Sequence, residues 1–118
     1  MRKLLLVLVV IGALFAGGGS ALAAKANIVH LSAPVAGLKY DQKTVHAHAG
    51  KIKIVFLNRS ALQHNVNVEL GEKEFGKSKT IAKGTTTFFV TLKPGKYNFY
   101  CSVPGHEPAG MRGTLIVT

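Results

Sequence analysis

Residues 100–111 read YCSVPGHEPAGM and hold the chain's one cysteine, Cys101, followed at five-residue steps by His106 and Met111. A thiolate, an imidazole and a thioether are soft or borderline metal ligands. As a set they suit a metal that cycles between a soft reduced and a harder oxidised state. What the loop lacks is a second imidazole, because one cysteine, two histidines and a weak axial methionine make up the ligand set of a blue-copper electron-transfer site. The histidines available are His30, His46, His48, His64 and His106. His64, in SALQHNV, is the best second ligand, since it follows a loop and opens an alternating run instead of sitting midway along one. Taken singly, each residue has a plainer reading: Cys101 as a buried inert thiol, His106 as a loop histidine, Met111 as core filler. Together, at set positions in two segments, they point to metal ligation.

Short runs of β-branched and aromatic residues must position these side chains. KIKIVFLN (51–58) alternates with period two and predicts a strand, as do ANIVHL (26–31), HNVNVEL (64–70), KGTTTFFVTL (83–92), YNFYC (97–101) and RGTLIVT (112–118). Pro34 and Gly37 make 32–42 irregular, KPGK (93–96) is a turn, and the polar stretch 71–78 reads as a loop or short helix. Six to eight short strands predict an all-β domain, a β-sandwich or barrel. Alternation along YNFYC puts Tyr97, Phe99 and Cys101 on one face, the core side, with Asn98 and Tyr100 on the other. His46 and His48 stand two apart and face one way on a strand, which makes them solvated histidines or a weak surface metal pair; His30 reads as structural.

The first residues have another character. Arg2 and Lys3 precede the apolar run Leu4–Ala16, then GGGS and ALAA, the layout of a secretory signal peptide. Cleavage after Ala23 fits the small-residue rule, with Ala24 the neighbouring choice, and gives residues 1–23 as signal peptide and 24–118 as one domain. The alternative is an uncleaved anchor, because Leu4–Ala24 carries no charge. Export makes an unpaired cysteine notable: it is buried, bridged to another chain, or occupied. Setting aside Arg2 and Lys3 leaves 13 of the 15 basic residues against 5 acidic ones, a formal charge of +8. Such a charge favours acidic surfaces and makes association salt-sensitive. Nucleic acid is excluded as a partner by export, scattered lysines and the absence of any recognition motif.

NRSALQHNV (58–66) followed by YCSVPGHEPAGMRGTLIV resembles the cupredoxins, the plastocyanin/azurin family, and within it the auracyanin-like type 1 blue copper proteins. The spacing is Cys-x4-His-x4-Met, and the likeness spans most of 45–118, while 25–44 matches only in general character. The resemblance implies a Greek-key β-sandwich and one copper ion per chain, with His64, Cys101 and His106 in a trigonal plane and Met111 as the axial ligand. Asn65 matches the family's asparagine that bonds near the residue after the cysteine, here Ser102, tying the two ligand segments together. His106 would lie at the surface among Pro104, Gly105, Pro108, Ala109 and Gly110 as the electron route.

The resemblance and the ligand set together imply a one-electron carrier in the periplasm or an equivalent exported compartment, a monomer and not an enzyme. Asp41, Glu69, Glu72, Glu74 and Glu107 form no catalytic pair, and Gly105 stands where a binuclear copper centre would need a second cysteine. The basic charge predicts redox partners with acidic docking surfaces, or an anionic membrane surface nearby. A copper-trafficking or resistance protein using the same ligands is the alternative, and a metal-free interaction domain the third reading.

Overall fold

The structure is a computed structural model, and it describes residues 26–118; the expected signal peptide and its cleavage site lie outside the described residues. Among the described residues eight strands make two sheets. In the smaller, β1 (Ile28–Ala33) runs parallel to β3 (Gly50–Asn58), which pairs antiparallel with β6 (Gly84–Leu92). The larger has the order β2 (Thr44–Ala47), β8 (Arg112–Val117), β7 (Gly95–Tyr100), β4 (Asn67–Leu70), β5 (Lys73–Lys77). The chain crosses repeatedly between the sheets, giving an all-β Greek-key sandwich with no helix among the described residues.

The alternation in KIKIVFLN decides which side faces inward. Ile52, Ile54 and Phe56 are wholly buried, and they share one core with Val68, Phe99, Leu115 and Val117 from the opposing sheet and with Val66 just before it. Each such side chain contributes about 1.5–3 kcal/mol on leaving water. The lysines between them point outward. Tyr97, Phe99 and Cys101 are buried on one face while Asn98 is exposed, as the period of two requires.

Three expectations need correction. The segment 71–78 contains strand β5, not a loop or helix. It is an edge strand, whose Lys73, Glu74 and Lys77 keep the open edge from pairing with other chains, so its composition hides it. Gly71, at φ +60°, opens the two-residue turn into it, in the position where a II′ hairpin takes glycine. The run 64–70 is a strand only from Asn67; His64 makes an isolated bridge to Ile81. His46 lies on β2 but His48 lies beyond it, so the two do not share a strand; the His48 main chain is clasped instead by the Asn27 amide, which accepts from its N–H at 3.0 Å and donates to its carbonyl.

Candidate metal centre

Strands β7 and β8 are antiparallel neighbours, and the loop between them carries Cys101, His106 and Met111. Short-range main-chain bonds set its shape. The Cys101 N–H donates to the Met111 carbonyl at 3.1 Å, the Met111 N–H to the His106 carbonyl at 3.1 Å, and the His106 N–H to the Val103 carbonyl at 3.0 Å. Gly105 and Gly110, at φ +84° and +114°, supply the left-handed turns these bonds need. At the loop's base the Phe99 ring lies over Gly113, where any Cβ would stand 2.2 Å from it.

His64 comes from elsewhere and is placed by side chains. Asn58, at the end of β3 and 1% exposed, donates to the carbonyls of Leu62 (2.9 Å) and Ile81 (2.7 Å) and accepts from the Ser60 N–H (2.8 Å). The Ser60 hydroxyl accepts from the Leu62 N–H at 2.9 Å. These local side-chain bonds fold 58–63 into a compact turn. His64 then exchanges both main-chain bonds with Ile81, at 2.9 and 3.0 Å.

The two segments meet through Asn65. Its Oδ1 accepts from the Ser102 N–H and from Asn67 Nδ2, both at 2.8 Å, and its Nδ2 donates to Ser102 Oγ (2.8 Å) and Thr80 Oγ1 (2.9 Å). All four bonding positions of the amide are filled. The Asn65 carbonyl in turn accepts from the Tyr40 hydroxyl at 2.6 Å. Burial first, and the neighbouring Cys101 next, push the Tyr40 phenol well above its ordinary pKa, which keeps it a donor. Sequence reasoning points to neither Tyr40 nor Asn58. Asn58 had a signal, an Asn-x-Ser at a strand end; Tyr40 had none, since its role depends on packing between Phe56 and Phe99.

Three donor atoms converge where the segments touch. Nδ1 of His64 and Nδ1 of His106 are 3.1 Å apart, and Cys101 Sγ lies 3.5 Å from the second and 4.0 Å from the first. A point equidistant from the three lies about 2.1 Å from each, matching the ~2.0–2.3 Å of imidazole and thiolate bonds to a zinc-sized ion. Cys101 and His64 are fully buried, His106 is partly exposed, and Met111 is buried with its main chain bonded to Cys101. Burial, and then the adjacent His106, lower the His64 pKa, so its imidazole is neutral and its lone pair free near pH 7. His64 Nε2 is buried without a hydrogen-bond partner, an uncompensated cost of enclosing this ring. The donor set fits copper: thiolate and thioether suit Cu(I), and imidazole serves both states. Pro104, Gly105, Pro108, Ala109 and Gly110 surround His106 and are exposed or partly so. His30, His46 and His48 take no part.

Comparison with known proteins agrees with this geometry. No curated protein matches the chain. Auracyanin from the photosynthetic bacterium Roseiflexus castenholzii, in its dithionite-reduced form, superposes with a TM-score of 0.73 at 25% identity, over 78% of this chain and 97% of that one. Auracyanin A of Chloroflexus aurantiacus, a blue copper protein, gives 0.69 at 22% identity, over 77% and 98%. Rusticyanin from Thiobacillus ferrooxidans gives 0.63 at 18% identity, over 78% of each. The last two likenesses establish the fold alone. Residues 5–117 match the cupredoxin-like domain family, and His64, Cys101, His106 and Met111 are arranged like a type 1 copper site. The chain belongs to the cupredoxin family, whose blue copper proteins it is similar to.

Proposed function

We propose that the protein is an exported one-electron carrier with a single type 1 copper. The observation that carries this reading is the convergence of the Cys101 thiol and two Nδ1 atoms within one buried, cross-bonded corner of the sandwich. His64, Cys101 and His106 would hold the metal with Met111 as a further weak ligand, and bound copper would supply the Cu(II)/Cu(I) couple. Asn65 and Ser102 keep the ligand segments at one separation, so the donors need not rearrange when the charge of the site changes. His106, the exposed member, reaches solvent among small apolar residues and gives a partner its closest approach. No acid, base or substrate pocket is required.

Export rests on the leader-like sequence Arg2–Ala24. The excess of basic over acidic side chains supports redox partners with acidic docking surfaces. Adding one equivalent of Cu(II) to residues 24–118 tests the reading. The expected result is an intense blue band that bleaches on reduction, returns on oxidation, and is absent from Cys101→Ser. A pale spectrum, or a band indifferent to that substitution, sinks the type 1 assignment. A blue band without a reversible couple by voltammetry moves the function to copper trafficking or resistance.

A further inference from the structure

The outer face of the smaller sheet has a composition that the copper site does not explain. Strands β1, β3 and β6 contain no aspartate or glutamate. Every acidic side chain lies elsewhere: Asp41 before β2, Glu69, Glu72 and Glu74 on the β4–β5 hairpin, Glu107 in the ligand loop. Outward from the smaller sheet point Ile28 and His30, Lys51, Lys53, Val55 and Leu57, and Thr85, Thr87, Phe89 and Thr91, as the alternating burial of each strand requires. Ile28, Lys53 and Phe89 stand in register across all three strands, one beside the next. Phe89 is 55% and Ile28 38% exposed, and Lys51 Nζ lies 4.6 Å above the Phe89 ring. With Ala26 and Asn27 these residues line a shallow cleft of about 320 Å³.

An exposed phenylalanine and isoleucine flanked by lysines, with no negative charge on the face, match the interface of an anionic bilayer. Aromatic and aliphatic groups enter the headgroup boundary while ammonium groups meet phosphates. We propose that this face docks the protein on membranes carrying anionic lipid headgroups. A second copy is disfavoured by charge, since a two-fold contact would set lysines against lysines. A redox partner is disfavoured by distance, because the row through Lys53 lies roughly 17 Å along β3 from Asn58, which marks the copper end. Ala26 and Asn27, the first described residues, lie at this patch. With this face on the lipid, the larger sheet points away and His106 sits at the side, open to partners in or on the same membrane. That consequence rests on the electron-carrier reading; the docking itself does not.

Both sheets and the core are built from residues after Asn27, so residues 24–118 are the fragment to test. Copper-loaded protein is sedimented with vesicles of phosphatidylcholine alone and with about one-third phosphatidylglycerol. Binding is expected only to the anionic vesicles and is lost with added salt. Lys51→Glu with Lys53→Glu lowers the partition coefficient at least 25-fold, about fivefold for each lysine lost. Phe89→Ser lowers it severalfold at unchanged charge. Lys77→Glu with Lys79→Glu, at and just beyond the end of β5 in the larger sheet, makes the same change in net charge and serves as the control. Equal loss in that control reduces the effect to net charge and overturns the proposal. Absence of binding to anionic vesicles overturns it too, as does a concentration-dependent dimer that Phe89→Ser dissolves. The blue spectrum, read on the same samples, stands or falls independently.

Discussion

The two segments that meet at the metal centre are held by different means. The Cys101–Met111 loop is an extension of the β7–β8 ladder, closed by main-chain bonds between residues at most ten apart and by glycines at φ values other residues avoid. The His64 segment has no ladder of its own. It is shaped by the Asn58 and Ser60 side chains and a single bridge to Ile81, and it is located in space by Asn65 and Tyr40. One ligand group is thus fixed by sheet register and the other by buried amides. A site built from both is rigid only if each kind of restraint is intact.

Gly113→Ala is the strongest test of the first kind. A Cβ there meets the Phe99 ring at 2.2 Å and the Lys43 carbonyl oxygen at 2.6 Å; that carbonyl is pinned by the Thr114 N–H at 2.8 Å, so the neighbour cannot give. The expected cost is about 3 kcal/mol, read as a lowered urea midpoint. Displacement of Phe99 also drags Cys101, two residues on, and the copper-loaded variant should lose much of its blue intensity. An unchanged midpoint would mean that the base of the loop is not held by this contact.

Asn58→Ala attacks the second kind. It removes three hydrogen bonds at a 1% exposed position and strands the Ser60 N–H and the Leu62 carbonyl, at about 2–3 kcal/mol. The ladder is untouched, so Cys101 and His106 stay in register while His64 loosens. Copper affinity should therefore fall more than in Gly113→Ala variants of matched stability. Asn65→Ala cuts the tie between the segments and costs about 2 kcal/mol by the same reasoning. Its more telling effect is on the reduction potential, which should shift, whereas Ser102→Ala keeps the main-chain donor to Asn65 Oδ1 and should shift it less.

This division also explains what the sequence disclosed. The loop restraints are local, so YCSVPGHEPAGM was readable, and the alternation of KIKIVFLN showed which way the core lay. His64 could be picked out as the second ligand from its place after a loop, but the tie from Asn65 to Ser102 was legible only through family resemblance, since nothing local links residues 37 apart. Strand β5 was missed because an edge strand carries the charges of a loop. Asn58 and Tyr40 were missed because their partners are set by the fold: Asn58 reaches Ile81, 23 residues on, and Tyr40 reaches Asn65, 25 residues on.

Acid should expose the weaker of the two arrangements in the metal-free protein. Burial, then His106, lower the His64 pKa below its ordinary value. The unfolded chain therefore takes up this proton first as pH falls below about 6.5. Stability is fully present above that pH and is lost as pH drops through the folded-state value. Urea midpoints measured from pH 8 to 5 should decline over that window in apo protein and decline less in His64→Phe. An identical slope in the variant would assign the acid sensitivity to other groups.

The smallest expected effect is the most specific. Tyr40 is 3% exposed and packs edge-on against Phe56 (centroids 5.8 Å, 78°) and Phe99 (5.2 Å, 66°), while its hydroxyl donates to the Asn65 carbonyl. Its ring touches the strand that leads into Cys101, and its oxygen holds the residue beside His64. Tyr40→Phe keeps the ring and removes only the hydroxyl, leaving one buried carbonyl short of a donor at a cost of about 1 kcal/mol. If ring packing alone aligns the two segments, the reduction potential and blue band of the variant match the parent within error. If the hydroxyl bond contributes, the potential moves in the same direction as in Asn65→Ala but by less, and the double variant shifts no further than Asn65→Ala by itself. Non-additivity of that kind is the signature of two residues acting through one restraint, and it would place Tyr40, from a segment with no ligand of its own, in the frame that sets the site.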